Sequence, residues 1–365
     1  MNILFLAKDS GLGGVVTSTR SLSLGLINQK KAKIVIGICK GIGQETILSD
    51  LDVHIIDYNT KNPIGIIKNY LIIKKIINDY KINIIHAQNR IPAIYADLYC
   101  RFHNKTKYIW ANHLVPIPSS WIYRITTKYG SKAVTDCMEG KSLLKNALKI
   151  PDDKIEVINL GMDLSQIIKT SNDDQRELKN RLGILQDEKV IILYGRLTEH
   201  KGHLLLLNSI SKCSNQQYKL IFPGEDDDYK RKIINLAQKL GIADKLIFPG
   251  FIKGNEYLSI SDLLVLPSEK ESFGMSLIEA FKLEVPVIRS MTGGYEDMAD
   301  MCFGFKSGDG NELTALLNLF FDNPKVYTEK AKYAYDCVDR FSINNAVDKY
   351  YHLYREILND SLQEE

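Results

Sequence analysis

A chain of 365 residues, 45% hydrophobic and 25% charged, has the composition of a globular protein, which excludes collagen-like and intrinsically disordered classes. It is too long for one ordinary core and fits two domains. The net charge of +3 predicts no nucleic-acid partner, and six cysteines (Cys39, Cys100, Cys137, Cys213, Cys302, Cys337) without a C-x-x-C pair read as free thiols of a reducing compartment, with no metal site among them.

The first residues open directly on a strand at 2–6, with neither the charged n-region nor the small-residue site of a signal peptide, so a cytoplasmic chain is expected. Glycines follow at Gly11, Gly13 and Gly14, ahead of a helical stretch at 15–26. Such glycines let backbone N–H groups approach a phosphate or sugar, which makes Gly13 and Gly14 candidate contacts; a plain tight turn is the alternative. The turn lacks a full G-x-G-x-x-G and no acid follows the second strand, which argues against a dinucleotide-dependent dehydrogenase. Short β-branched runs at 33–37, 53–56, 82–86, 108–111 and 132–135 alternate with helical stretches, the pattern of a parallel sheet with crossover helices.

Between these strands, residues 64–77 are apolar but broken by Lys68, Lys74 and Lys75, so they do not span a bilayer. A helix covering the sheet with its lysines outward explains them. Residues 116–129, with Trp121, Tyr123, Arg124, Lys128 and Tyr129, suit peripheral contact with an anionic membrane or a lipid-linked acceptor.

A polar segment at 169–181 separates this pattern from a second one, with strands at 190–194, 219–222, 246–248 and 263–266. The expected architecture is α/β, two doubly wound Rossmann-like domains at 1–165 and 166–342 that face across a cleft, with ligand beyond the carboxyl ends of the strands. Through residue 163 the chain holds 22 Lys and Arg against 13 Asp and Glu, a balance of +9; the remainder holds 25 against 31, a balance of −6. A basic first half suggests that it faces something anionic.

In the second half, residues 262–267 read as a buried strand stopped by proline, and 275–281 have helical spacing. The Ser272-Phe273-Gly274 turn opens that helix. The N–H groups of Gly274, Met275 and Ser276 then sit at a helix N-terminus, where unsatisfied donors and the helix dipole favour a phosphate. Glu271 and Glu279 flank the turn and can accept bonds from two sets of hydroxyls, hexose for the first and ribose for the second. Arg196 and Lys201 follow the strand at 190–194 and form a cationic clamp for a leaving diphosphate, with a solvated surface pair as the alternative. Paired carboxylates also suit a glycosidase, but a phosphate-cradling turn and a cationic clamp serve no purpose in hydrolysing a glycoside. Asp226-Asp227-Asp228 contains D-x-D and reads as a solvated charge run.

Glu271 and Glu279, followed by Ala280, Pro286-Val287-Ile288 and Gly293-Gly294, resemble the signature of family 4 of the retaining glycosyltransferases. Residues 190–197 with Lys201-Gly202 resemble that family's strand, Gly-Arg-Leu turn and helix start, and weaker matches run from Gly13-Gly14 to the last helix. The resemblance implies a GT-B fold whose final helix, within 343–365, crosses back to the first domain near Phe341-Ser342. It implies a nucleoside diphosphate sugar as donor, with UDP foremost, and neither an obligatory metal nor a further cofactor. His113 matches a histidine near the transferred sugar, with His86 as its rival, and residues 251–253, Ile252 at their centre, pass the nucleobase. The implied catalytic set is thus Arg196, Lys201, Glu271 and His113. The implied donor set is Gly13, Gly14, Ile252, Ser272, Phe273, Gly274, Met275, Ser276 and Glu279.

Departures at residues 159–163, around Asp136-Cys137 and at Asp297 lie away from the donor clamp. A Lys-, Ile- and Asn-rich composition and a basic first domain fit a bacterial surface-glycan pathway, with a glycan, lipid-linked or protein acceptor, in an enzyme at the inner face of the cytoplasmic membrane. A sugar-nucleotide epimerase and a catalytically silent partner subunit are the alternatives from other classes.

Overall fold

The structure, a computed structural model, describes residues 1–8, 14–41, 45, 48–113, 118, 120–251 and 255–363. It divides into two compact units, Met1–Asp163 with Phe341–Glu365, and Leu164–Arg340. Each is built on a parallel sheet, as the alternation of short apolar runs with helices dictates.

In the first unit the strands are β1 (Asn2–Ala7), β2 (Lys33–Ile38), β3 (Val53–Ile55), β4 (Ile84–Ala87), β5 (Lys107–Asn112), β6 (Lys132–Thr135) and β7 (Ile155–Val157), in the order β3-β2-β1-β4-β5-β6-β7. Helices α1 (Gly14–Asn28), α2 (Pro63–Asp79), α3 (Arg90–Cys100), α4 (Trp121–Thr126) and α5 (Met138–Leu148) connect them. Strand β1 is buried on both faces, which is why it reads as an unbroken apolar run. Leu4 and Leu6 pack with Ile73, Ile76 and Ile77 of α2 and Tyr95 of α3, whereas Ile3 and Phe5 pack with Val16 and Leu22 of α1.

The second unit contains β8 (Lys189–Ile192), β9 (Tyr218–Ile221), β10 (Leu246–Ile247), β11 (Leu263–Leu266), β12 (Val287–Ser290) and β13 (Phe303–Phe305), in the order β10-β9-β8-β11-β12-β13. Its helices include α6 (Asn172–Arg181), α7 (His203–Ile210), α8 (Asp227–Lys239), α9 (Glu256–Ser259), α10 (Met275–Lys282), α11 (Gly310–Asp322) and α12 (Pro324–Cys337). Strands β7, β12 and β13 are additions to those predicted. β7 is three residues with Glu156 at its centre, β12 carries Arg289, and β13 straddles Gly304, so none presents a plain apolar run. The acidic run at Asp226 is a helix cap as well as a charged surface: its side chain accepts from the Tyr229 N–H at 2.8 Å, with Asp227 and Asp228 in the first turn of α8.

The chain re-enters the first unit at Phe341, whose carbonyl accepts from the Met162 N–H at 3.0 Å, and ends in α13 (Ile343–Gln363). Val347, Tyr350, Leu353, Tyr354 and Ile357 of α13 join the core over β1. Glycine at position 25 of α1 permits this close approach, since a Cβ there would stand 2.5 Å from Val347 Cγ2. Gly25→Leu should therefore destabilise the protein by about 1–3 kcal/mol through overpacking, despite leucine's better helix propensity. A urea midpoint equal to or above the parent's would refute that packing.

Candidate active site

The loops that carry Arg196 and Lys201, and Glu271 to Gly274, leave the carboxyl ends of β8 and β11, neighbours at the point where the strand order reverses. Gly202 lets the first loop lie on the second. Its φ is +80°, and a Cβ there would stand 2.1 Å from the Pro267 carbonyl oxygen. The Glu269 N–H donates to the His200 carbonyl at 2.9 Å, joining the loops further. Lys201 Nζ is thereby set 2.7 Å from Glu271 Oε2, with both side chains shielded at 16% and 14% exposure. This is a charge-assisted hydrogen bond, whereas Arg196, the other half of the expected clamp, is exposed. The lysine stem runs along Gly195, where a Cβ would be 3.5 Å from its Cε.

The turn after Glu271 is held from behind. A Cβ on Gly293 would stand 2.2 Å from the Glu271 carbonyl oxygen and 2.7 Å from that of Ser272. The wholly buried Arg289 guanidinium donates to the carbonyls of Phe273 (3.4 Å), Ser290 (3.3 Å), Thr292 (3.1 Å) and Gly293 (2.7 Å). Arg289 was given no role from the sequence; a charge closing the apolar run Pro286-Val287-Ile288 is the signal that marks it. Phe273 buries its ring, so only its backbone serves the turn. Gly274, at φ +92°, caps α10; the Leu277 N–H donates to its carbonyl at 3.0 Å, and the N–H groups of Met275 and Ser276 ahead of it have no carbonyl partner inside the helix.

A cavity of about 320 Å³ adjoins this turn, lined by Tyr194, Gly195, Arg196, Phe251, Ser276 and Glu279 among others. Glu279 Oε2 is buried without a hydrogen-bond partner among the described residues, and burial pushes the carboxyl up to about 7. Burial and this carboxylate together push the Tyr194 hydroxyl up to about 12. Arg196, Ser276 and Glu279 therefore share one cavity, and the Lys201–Glu271 pair lies beside it across Gly195. Gly13 and Ile252 fall outside the described residues.

Gly14 and His113 belong to the first unit. Gly14 begins α1, and a Cβ on it would meet nothing within 4 Å, so packing does not require glycine there. His113 follows β5 and lines a cavity of about 20 Å³ with Gln88, Asn159 and Tyr350. His86, its rival, is fully buried in the core, bonded through Nδ1 to the Tyr354 hydroxyl at 2.7 Å. Burial, with His113 nearby, pushes His86 down to about 3, so it is neutral at physiological pH.

Residues 174–336 match the family described as Glycosyl transferases group 1, and residues 12–166 match that described as Glycosyltransferase Family 4. The chain belongs to this glycosyltransferase family. An uncharacterized glycosyltransferase of Methanocaldococcus jannaschii is 29% identical over 177 residues, which are 47% of this chain and 45% of that protein. The O-antigen biosynthesis glycosyltransferase WclY of Escherichia coli is 24% identical over 216 residues, 58% of this chain and 59% of WclY. The chain thus spans about half the length of these relatives. The crystal structure of Anabaena HepE in complex with UDP matches with a TM-score of 0.87 at 18% identity, over 98% of this chain and 100% of HepE. The fold is GT-B, two Rossmann-like domains, as expected from the sequence.

In this glycosyltransferase Glu279 is an acid whose ionisation the fold opposes. Its folded value of about 7 lies above the ordinary 4.5, so the native state holds the proton more tightly than the unfolded chain. Stability falls as pH rises from 4.5 towards 7, and the cost is complete above that. Glu279→Gln should stabilise the protein near pH 8 by up to about 3 kcal/mol and leave it unchanged near pH 4. Thermal unfolding across that range checks it; a gain independent of pH would argue against a buried carboxyl.

Proposed function

We propose that the chain is a retaining glycosyltransferase that moves a hexose-type sugar from a nucleoside diphosphate, UDP foremost, to an acceptor in bacterial surface-glycan or glycoconjugate synthesis. The observation that carries this reading is the shielded Lys201–Glu271 pair beside a cavity that holds Arg196, Ser276 and the unsatisfied Glu279 at the start of α10. Cations and free N–H groups there suit a diphosphate, and two carboxylates suit two sets of hydroxyls. The UDP bound by HepE and the O-antigen role of WclY support the donor and the pathway.

In the proposed reaction Lys201 and Arg196, with the N–H groups of Gly274, Met275 and Ser276, hold the diphosphate as negative charge develops on it. Glu271 accepts from the hexose hydroxyls, Glu279 from the ribose, and His113 bonds the transferred sugar. The acceptor hydroxyl bonds to the anomeric carbon on the face from which the phosphate oxygen departs, and a donor phosphate oxygen takes its proton. Retention follows from attack and departure on one face.

Thermal unfolding with UDP, GDP, ADP and CMP tests the donor. The base that fits should add about 2.7 kcal/mol at a hundredfold excess over its Kd. Lys201→Ala should abolish that gain and lower turnover about 10²–10³-fold, because the clamp is lost and Glu271 is left an unpaired, shielded charge. A chain indifferent to every nucleotide would be a silent partner subunit instead.

The acceptor side includes a membrane surface. α4 buries none of its residues and exposes Trp121, Ile122 and Ile125. α2, expected to cover the sheet with its lysines outward, also exposes Ile64 (75%), Ile67 and Leu71, while Ile73, Ile76 and Ile77 face the core. Lys68 stands one helical turn from Ile64, and Lys75, paired with Asp79, one turn from Leu71. Apolar side chains flanked by cations suit an anionic lipid surface and support a peripheral position at the inner face of the cytoplasmic membrane. No helix among the described residues is long and apolar enough to cross a membrane. Ile64→Asp with Trp121→Asp should release the protein from phosphatidylglycerol vesicles in a sedimentation assay; undiminished pelleting would count against these helices.

A further inference from the structure

In the first unit a hydrogen-bonded chain runs from the last helix to the end of β5. The Tyr354 hydroxyl lies 2.7 Å from His86 Nδ1, and Gln88 Nε2 lies 3.4 Å from His86 Nε2. Gln88 Oε1 lies 2.6 Å from His113 Nε2, and His113 Nδ1 faces Asp136 Oδ2 at 3.5 Å. Tyr354, His86, Gln88 and Asp136 are buried, and the His113 side chain is 12% exposed. The alternation of a strand explains the spacing: His86 lies in β4 and Gln88 two residues on, so both turn to the same face of the sheet.

The chain has a direction because the two ends of an amide are unlike. An amide nitrogen only donates and an amide oxygen only accepts. His86 therefore accepts through Nε2 and keeps its proton on Nδ1, where it donates to the Tyr354 oxygen. His86 is neutral in this setting, pushed down to about 3 by burial and by His113, so it offers one donor and one acceptor and no more. The Gln88 oxygen in turn accepts from His113, which requires a proton on His113 Nε2. The remaining nitrogen of that ring is turned to Asp136, both of whose carboxyl oxygens are buried without hydrogen-bond partners among the described residues. At 3.5 Å, Asp136 Oδ2 lies at the limit of hydrogen-bond distance, so the 2.6 Å contact with Gln88 is the closer of these two polar contacts of the ring.

We infer that Gln88 is a positioning residue for His113, linking it to the buried His86–Tyr354 pair and fixing Nε2 as the nitrogen that carries the ring proton. The imidazole cannot turn over without breaking the 2.6 Å bond to Gln88, so the same edge of His113 is always presented. Its bearing on catalysis rests on the reading of His113 as the histidine beside the transferred sugar; its bearing on the ring does not.

The test is the nitrogen-15 spectrum of the histidine-labelled full chain, with His113→Gln marking the resonances of that ring. The parent should show His113 protonated at Nε2. Gln88→Leu should release the ring into mixed tautomers. Gln88→Glu keeps an acceptor for His113 and removes the donor to His86, so the His86 signals should move while His113 keeps its Nε2 proton. Tyr354→Phe, at the far end of the chain, should shift the signals of both histidines. A parent His113 without a proton on Nε2, or His113 signals unmoved by both Gln88→Leu and Tyr354→Phe, would overturn the inference. In turnover assays Gln88→Leu should lower kcat by about ten- to a hundredfold with donor KM within about twofold. Lost turnover with an unmoved His113 spectrum would sink the positioning role. A parent inactive with every donor would count against the transferase reading and leave the spectrum to decide on Gln88.

Discussion

The reversal of strand order between β8 and β11 is the constraint on which the candidate site depends. In a parallel sheet covered by helices on both faces, the loops that leave the carboxyl ends are the backbone most open to a ligand. Most such loops are separated by the helices they feed. Where the order reverses, the crossovers go to opposite sides and two loops meet directly. Gly202 against Pro267, and the Glu269 N–H on the His200 carbonyl, are the contacts that this meeting requires. Lys201 and Glu271, seventy residues apart in the chain, become a pair as a result.

Four shielded charged groups in this unit are treated in three ways, each with a chemical consequence. Lys201 and Glu271 neutralise one another, so either is costly to remove alone. Arg289 spends its guanidinium on backbone carbonyls of two loops, which fixes the turn ahead of α10 without placing a group in the cavity. Glu279 has a carboxylate oxygen with no partner among the described residues, and burial raises its affinity for a proton. The first two make the site rigid before any ligand arrives. The third leaves an acceptor whose cost is offset only when donors reach it.

The first unit separates its two histidines by position along the sheet. His86 sits within β4, opposite Phe5 in the register, with its ring 4.8 Å from the phenyl centroid and Tyr354 on its other side. His113 lies one residue past β5, where the backbone has left the ladder and the side chain reaches a small cavity. Burial makes the first a neutral link in the core. The second keeps access to what the cavity admits.

Much of the architecture was legible in local pattern. Apolar runs alternating with helical stretches determined two parallel sheets, and the polar break near residues 169–181 marked where the second begins. The Ser272-Phe273-Gly274 turn between Glu271 and Glu279, and Arg196 with Lys201 after a strand, set most of the candidate donor residues on the loops that follow β8 and β11. Local pattern could not reach β12 or β13, because a buried Arg289 and a central Gly304 mask strands that pairing with neighbours stabilises. Nor could it choose between His86 and His113, or give Gln88 and Arg289 a role, since each is defined by partners far away in the chain, 268 residues in the case of His86 and Tyr354. By itself the sequence determined which elements form, since periodicity and turn chemistry act over a few residues. Only the tertiary structure decided which polar groups are desolvated and by whom they are satisfied, because burial and hydrogen bonding across strand order are properties of the packed chain.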